Sequence, residues 1–115
     1  MTSFLNTCNF ETVGVSFLSE HVLLVRLNRP DSLNAINTQM GHDLLAIWQA
    51  LGRSDHDVRC VILMGEGGRA FSSGGDLKER KGMSTQSWSE QHQLFEKAFL
   101  ALLNSIKKNS LLFIL

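Results

Sequence analysis

Apolar residues form short runs along the chain, and these runs predict strands alternating with helices. The runs at 13–18 and 22–27 are rich in residues with high β propensity and are separated by the short polar segment 19–21. This arrangement predicts a β-hairpin. The second run is almost continuously apolar, which is typical of a strand covered on both faces. A third apolar run at 58–64 predicts another buried strand.

Between the second and third predicted strands, apolar positions recur at helical spacing. One stripe of a helix would be formed by Met40, Leu44, Ile47, Trp48 and Leu51. Asn37 or Thr38 can cap this helix at its start, and Gly52 is the expected stop. Strand, helix and strand in this order predict a βαβ unit with a right-handed crossover.

A second long helix is predicted after the break at 81–85, beginning near Ser87 or Ser89. Its buried stripe is expected to contain Phe95, Ala98, Phe99, Leu102 and Leu103. The last residues, 111–115, are all apolar, and the pattern offers them no partner within the chain. Such a segment favours aggregation when it is exposed.

Composition limits the class of protein. A chain of 115 residues that is 43% hydrophobic has the size and apolar content of one small domain with a core. Lys+Arg and Asp+Glu both number 11, so no basic excess favours nucleic acid as a partner. Cys8 and Cys60 match no metal spacing and no disulfide framework, which favours a cytosolic setting. No apolar run approaches the roughly 20 residues of a membrane span, and the N-terminus lacks the pattern of a secretion signal.

The candidate chemistry lies in the glycine-rich segment 65–75, directly after the third predicted strand. Asp76 and the helix-favouring residues 77–80 follow it. Free backbone N–H groups at a junction of strand, loop and helix bind an anion, or a carbonyl oxygen that becomes negative. Gly75 is the natural donor, because its missing side chain lets an acyl group lie against the backbone. The alternative is a tight turn that faces solvent and binds nothing.

Other motifs point to different chemistry. The pattern Gly65-x-Gly67-x-x-Ala70 fits the loose dinucleotide fingerprint and keeps a βαβ nucleotide-binding module open as an alternative. A helix should begin at once after that fingerprint, however, and residues 71–75 are a poor helix start. Ser72 and Ser73 lack the surrounding pattern of a nucleophile elbow. No metal-ligand spacing is shared by His21, His42, His56 and His92.

Three motifs, in order and at matching spacing, resemble the enoyl-CoA hydratase/isomerase (crotonase) superfamily. The first is Leu27-Asn28-Arg29-Pro30 followed by Leu33-Asn34-Ala35, the second is Val61-Ile62-Leu63-Met64-Gly65, and the third runs from Ala70 to Lys78. The resemblance extends from about Val13 to about Ser105. It implies an α/β fold, namely a truncated crotonase-like ββα spiral core with an N-terminal hairpin, the βαβ unit and a further helix.

The resemblance also implies an organisation and a substrate class. Residues 1–12 would be a lead-in, residues 13–105 the N-terminal part of a crotonase-like domain, and residues 106–115 a divergent apolar tail. The substrates would be acyl-CoA thioesters. Coenzyme A is part of the substrate, so no separate cofactor is implied. Family members usually assemble as trimers or pairs of trimers.

Site residues follow from the matching positions. The resemblance implies that Gly75 supplies one of two backbone N–H groups that hold the thioester oxygen and stabilise an enolate. Ser73 and Leu77 would line the adenine pocket, and Lys78 would lie near the phosphorylated ribose. The implied coenzyme A contacts are Asp31, Ser32 and Leu33 from the first loop and Ser73, Asp76, Leu77 and Lys78 from the second.

The chain departs from the family pattern after Asn104-Ser105. Family members draw a second oxyanion glycine and catalytic glutamates from a later half, and we expect both to be missing here. The glutamates Glu66, Glu79, Glu90 and Glu96 do not match catalytic positions and are expected to be solvated. We therefore expect a truncated chain that is inactive by itself. The alternative role is a catalytically dead remnant that binds coenzyme A or associates with full-length subunits.

Overall fold

The computed structural model describes residues 4–53, 56–106 and 111–115. The elements, in chain order, are α1 (Phe4–Thr7), β1 (Val13–Ser19), β2 (Val22–Leu27), α2 (Thr38–Leu51), β3 (Cys60–Gly65), α3 (Leu77–Lys81), α4 (Thr85–Ile106) and β4 (Leu111–Ile114). One sheet contains the strands in the order β1-β2-β3-β4. β1 is antiparallel to β2, whereas β2, β3 and β4 are parallel. The predicted α/β class and the hairpin are confirmed.

The β2–α2–β3 segment forms the expected βαβ unit, because β2 and β3 pair in parallel with Leu23 opposite Val61 and Val25 opposite Leu63. These four side chains are buried. Alternate residues of β2 are only half-buried, so the expectation that the strand is covered equally on both faces is wrong. The core side chains of α2 lie against one face of the sheet, and the other face keeps partial contact with solvent.

Helix α2 begins and ends as its sequence predicts. The Asn37 side chain accepts a hydrogen bond from the Met40 amide at 2.9 Å, and Gly52 follows the last turn. Asp43, on the same helix, is buried and accepts hydrogen bonds from the Thr12 amide at 3.0 Å and the Thr12 hydroxyl at 2.6 Å. The residues before β1 are therefore tied to the core, which the sequence pattern did not indicate.

Helix α4 begins at Thr85, earlier than predicted, and its buried face differs from the predicted stripe. Ala98 is buried, but Phe99 is 58% exposed and Leu103 is 38% exposed. Helix α4 approaches α2 closely at Phe95 and Leu94. A Cβ atom on Gly41 would lie 2.7 Å from the Phe95 ring and 3.0 Å from Leu94, so this contact leaves little room between the helices. The fully buried positions of α4 are Gln91, Ala98 and Ser105.

The apolar end of the chain has a backbone partner, contrary to expectation. β4 pairs in parallel with β3, with Cys60 opposite Leu111 and Leu63 opposite Ile114. The side chains of Leu111, Phe113, Ile114 and Leu115 nevertheless remain exposed. Residues 54–55, and residues 107–110 of the predicted divergent tail, lie outside the described residues. Within the described part of the chain, no helix combines the length and apolar character needed to cross a membrane.

Candidate functional site

Asn34 joins the loop after β2 to the loop after β3. Its side chain is 1% exposed. The side-chain oxygen accepts a hydrogen bond from the Arg29 amide at 2.9 Å, and Nδ2 donates to the carbonyl oxygens of Glu66 and Ala70, both at 3.0 Å. Leu33 and Asn34 adopt the left-handed backbone conformation, with φ of 52° and 55°. Asparagine tolerates this conformation better than most residues, so it suits both the turn and the connection.

The glycine loop packs closely on this junction at its first residue. A Cβ atom on Gly65 would collide with the carbonyl oxygens of Ala70 and Phe71, and it would lie 2.6 Å from Asn34 Nδ2. Gly74 has φ of 99°, which is the conformation that only glycine adopts without strain. Position 65 therefore requires glycine because no Cβ atom fits there, and position 74 requires it because of its backbone conformation. Together the two glycines let the loop return toward the residues after β2.

A single β-bridge fixes the end of the glycine loop. The Ile36 amide donates to the Gly74 carbonyl at 2.8 Å, and the Asp76 amide donates to the Ile36 carbonyl at 3.1 Å. In an extended backbone successive amides point to opposite sides, so the Gly75 amide points away from Ile36. Across residues 4–53, 56–106 and 111–115 it has no hydrogen-bond acceptor. The predicted donor is therefore available to a ligand.

A surface groove of about 340 Å³ contains all the residues that the sequence proposes for the site. It is lined by Asp31, Ser32, Leu33, Ala35, Ser73, Gly75, Asp76, Leu77 and Lys78. Ser73, Leu77 and Lys78 are exposed, and so are the three residues from the first loop. Gly75 and Asp76 are half-buried, so they lie deeper than the rest. The two predicted binding segments therefore face one another across a common groove.

Asp76 has a structural role at this groove. One carboxylate oxygen accepts the backbone amides of Lys78 at 3.1 Å and Glu79 at 3.2 Å, which caps α3. The other lies 3.1 Å from Arg29 Nη1. The backbone hydrogen bond from Glu79 and, to a smaller degree, the Arg29 guanidinium hold the pKa of Asp76 below its ordinary value. The carboxylate is therefore kept ionised, and both of its oxygens already have partners within the protein.

Glu79 is not the solvated charge that the sequence predicted. It is half-buried, and Oε1 accepts hydrogen bonds from the Thr38 amide at 2.9 Å, the Thr38 hydroxyl at 3.0 Å and Gln91 Nε2 at 2.6 Å. This carboxylate therefore links α3 to the start of α2 and to α4. Glu66 forms an ion pair with Arg26 at 2.9 Å, whereas Glu90 and Glu96 are exposed as expected.

Sequence reasoning missed the roles of Arg29, Asn34 and Glu79. Arg29 and Asn34 lie inside the first motif of the resemblance, which was the only available signal for them. No local pattern indicates that Glu79 meets Thr38, because the two residues lie on different elements. All three act by holding loops and helices together beside the groove.

Glu20, His21 and Asp57 form a separate polar cluster, whose potential ligand atoms lie within 4.8 Å of one another. The turn between β1 and β2 and the segment before β3 bring these residues together, which histidine spacing does not reveal. His21 Nδ1 is 2.8 Å from the Asp57 carbonyl oxygen, so a backbone contact already accounts for the position of the ring. Exposed acidic groups of this kind are common without a metal.

The dinucleotide fingerprint does not have the expected structural context. A Rossmann-type phosphate site needs a helix that opens directly after the glycine turn. Here the segment after Gly65 continues as a loop, and α3 begins only at Leu77. The helix is also short, at five residues. The structure therefore disfavours the nucleotide-binding module that the sequence left open.

A sequence profile of the enoyl-CoA hydratase/isomerase family matches residues 22–113. Among curated proteins, the chain is 38% identical over 88 residues to the enoyl-CoA hydratase/isomerase YngF of Bacillus subtilis, covering 76% of this chain and 33% of YngF. It is 39% identical over 62 residues to (E)-benzylidenesuccinyl-CoA hydratase of Thauera aromatica, covering 54% of this chain and 24% of that enzyme. The chain thus spans a third or less of the length of these relatives.

Solved structures show the same partial correspondence. The crystal structure of an enoyl-CoA hydratase from Bacillus anthracis superposes with a TM-score of 0.77 at 24% identity, over 90% of this chain and 39% of that one. Pseudomonas aeruginosa AtuE superposes with a TM-score of 0.69 at 34% identity, also over 90% of this chain and 39% of that one. The fold described above is therefore the fold of the N-terminal portion of these proteins.

Proposed function

Because the chain belongs to the enoyl-CoA hydratase/isomerase family, we propose that its groove binds acyl-CoA thioesters and that the Gly75 amide donates to the thioester oxygen. The observation that carries the proposal is the unpaired amide of Gly75, which lines a groove between two loops that the rest of the fold holds in place. A fixed donor of this kind costs no reorganisation when charge develops on the oxygen.

The chemistry follows from polarisation of the carbonyl group. A hydrogen bond to the thioester oxygen draws electron density from the acyl group, so the β-carbon of an enoyl chain becomes a better electrophile. Water addition there, or proton loss at the α-carbon, places negative charge on the same oxygen. One donor of this kind contributes about 3–4 kcal/mol to stabilisation of the transition state. The proposal therefore concerns a step through an enolate, with Gly75 as one of its two donors.

We take the remaining contacts from the positions that match the family pattern, and the residues concerned all line the groove. Ser73 and Leu77 would line the adenine, and the ammonium group of Lys78 would lie near the ribose phosphate as a mobile point charge. Asp31, Ser32 and Leu33 would contact the coenzyme from the facing loop. Asp76 would hold the glycine loop and α3 in position, since its two oxygens already bind Arg29 and a backbone amide at the start of α3. This assignment gives each predicted residue a role that its observed environment allows.

We further propose that the 115 residues do not turn over enoyl-CoA by themselves. The chain spans about a third of YngF, and the second oxyanion glycine and the catalytic glutamates are expected in the later part of the family fold. Asp76 would be a poor proton donor near neutral pH, because its pKa is lowered. The role that we propose for such an inactive chain is to bind coenzyme A or to associate with further subunits. Exposed apolar side chains on α4 and β4 favour such association, in trimers or pairs of trimers.

A cytoplasmic setting completes the proposal. Cys8 and Cys60 are both unpaired and partly buried in the structure. Free thiols without a disulfide are typical of proteins that work in a reducing compartment. Cys60 lies half-buried at the start of β3.

Thermal denaturation with added ligand tests the proposed function. Butyryl-CoA at about a hundred times its dissociation constant should raise the melting temperature by roughly 10 °C, whereas NAD should not. Lys78→Ala should weaken the effect, while the matched control Lys81→Ala, an exposed lysine on the same helix outside the groove, should preserve it. A shift with NAD and none with butyryl-CoA would refute the proposal. Turnover of crotonyl-CoA at the rates of complete hydratases would refute the proposed inactivity alone.

A further inference from the structure

Arg80 occupies the space beside the proposed oxyanion donor. A Cβ atom on Gly75 would lie 2.5 Å from Nη2 and 2.6 Å from Cζ of Arg80. Gly75 does not adopt a left-handed backbone, unlike Gly67, Gly68 and Gly74. The guanidinium, and not the backbone conformation, therefore fills the room that a side chain at 75 would need. Adding standard bond lengths places Nη2 at most about 5.5 Å from the Gly75 nitrogen.

The guanidinium is anchored on one side and free on the other. Nε donates to Gln91 Oε1 at 3.3 Å, and Gln91 is itself buried and held by Glu79 and Thr38. Among the described residues, Nη1 and Nη2 have neither a hydrogen-bond acceptor nor an ion-pair partner. No buried side-chain nitrogen or oxygen in this part of the chain lacks a partner, so the two Nη atoms contact solvent. They present donors that the protein does not use.

Among the described residues, no carboxylate forms an ion pair with this guanidinium. The oxygens of Asp76 bind Arg29 and the start of α3, and Glu79 Oε1 binds Thr38 and Gln91. Glu90 is exposed and accepts a hydrogen bond from Gln86. On its own helix, Arg80 is preceded directly by Glu79 and followed by Lys81, with Lys78 two positions before it. Close to Gly75, the Nη atoms of Arg80 therefore lack a carboxylate partner among the described residues, while Glu79 keeps its negative charge on the other side of Gln91.

We propose that Arg80 binds a carboxylate carried by the acyl group, so that the preferred ligands are CoA thioesters of short dicarboxylic acids. This inference rests on the proposed function, since it requires the thioester oxygen to lie at Gly75. A guanidinium binds a carboxylate through two parallel hydrogen bonds, which neither water nor a methyl group reproduces. The short distance between Arg80 and Gly75 lets one small acyl group reach both, with its thioester at the amide and its far end at the guanidinium.

Calorimetric titration of the 115-residue chain with a matched pair of ligands tests the inference. Glutaryl-CoA and pentanoyl-CoA have the same chain length and the same coenzyme phosphates, and they differ in a terminal carboxylate against a methyl group. We expect glutaryl-CoA to bind about tenfold more tightly. Arg80→Gln should abolish this ratio, and Arg80→Lys should retain part of it. Lys81→Gln removes a positive charge from the same helix and should leave the ratio unchanged.

Each outcome decides between the two proposals. Equal affinities in the wild type overturn the carboxylate preference but leave coenzyme A binding intact. An Arg80→Gln variant that loses affinity for both ligands by the same factor also overturns it, because Arg80 would then bind a phosphate that both ligands share. Failure of both ligands to bind the wild type overturns the proposed function and this inference with it. The wild-type ratio decides the matter even if the variants do not fold.

Discussion

Arg29 Nη1 lies 3.1 Å from Asp76 Oδ2 and also donates to the Ala35 carbonyl at 2.7 Å. One guanidinium thereby fixes the loop after β2 to the residue that begins α3. Gly75 directly precedes Asp76, so the ion pair determines where the proposed donor amide lies. The groove consequently depends on contacts that bind no ligand themselves.

Stability should depend on pH through Asp76. Its pKa is lowered from an ordinary value of 3.8, chiefly by the Glu79 amide and then by Arg29. A lowered pKa means that the folded state favours the carboxylate. The stabilisation is therefore fully present above the ordinary pKa and is lost as the pH falls through the lowered one. Asp76→Asn keeps an acceptor oxygen but loses the charge, so it should be less stable than the wild type at pH 6 and similar in strong acid.

Urea unfolding at a series of pH values measures this dependence. Asp31→Asn, which changes an exposed carboxylate of the facing loop, serves as the control and should follow the wild-type curve. Identical acid dependence in Asp76→Asn and the wild type would show that the charge of Asp76 contributes nothing to stability.

Asn34 should be the most sensitive position of the loop junction. Asn34→Gly keeps the left-handed backbone but removes the hydrogen bonds to Arg29, Glu66 and Ala70, and it should cost about 3 kcal/mol of unfolding free energy. Asn34→Ala should cost about 1 kcal/mol more, because alanine is strained at φ of 55°. Chemical denaturation measures both values. Asn28→Ala, at an exposed asparagine in the same segment, is the matched control, and an equal loss there would argue against the junction.

Glu79 and Glu96 should differ sharply although both lie on helices near the end of the chain. Glu79→Ala removes the acceptor for Thr38 and Gln91 and should reduce the unfolding free energy by about 2 kcal/mol. Glu96→Ala changes an exposed side chain and should have an effect below about 0.5 kcal/mol. Equal losses of unfolding free energy in the two variants, measured by urea unfolding, would indicate that Glu79 is solvated, as the sequence suggested.

Local sequence signals predicted the elements that depend on local physics. The Asn37 cap, the buried Met40, Ile47 and Trp48, and the stop at Gly52 all follow from helix periodicity and capping chemistry. The order of β2, α2 and β3 then gives the parallel pairing. The grouping of Gly75 with the first loop came from the family resemblance, and the groove agrees with it.

Local sequence signals did not predict the contacts between segments that lie far apart along the chain. The stripe on α4 was wrong at Phe99 and Leu103, because apolar character predicts burial for large side chains, whereas these two are exposed and the smaller Ala98 is buried. β4 pairs through backbone groups, which carry no sequence pattern. The same reason applies to Arg29, whose partner Asp76 lies in another loop.

Amide NMR of the titrated chain shows whether Gly75 donates to the thioester oxygen. Butyryl-CoA and the thioether S-butyl-CoA share chain length and coenzyme, but only the first has a carbonyl oxygen. We expect the Gly75 amide proton to move downfield with butyryl-CoA and much less with the thioether, while the amides of Ser32 and Lys78 respond to both. If both ligands bind and shift the Gly75 amide equally, the thioester oxygen does not lie at Gly75 and the proposed oxyanion donor is wrong.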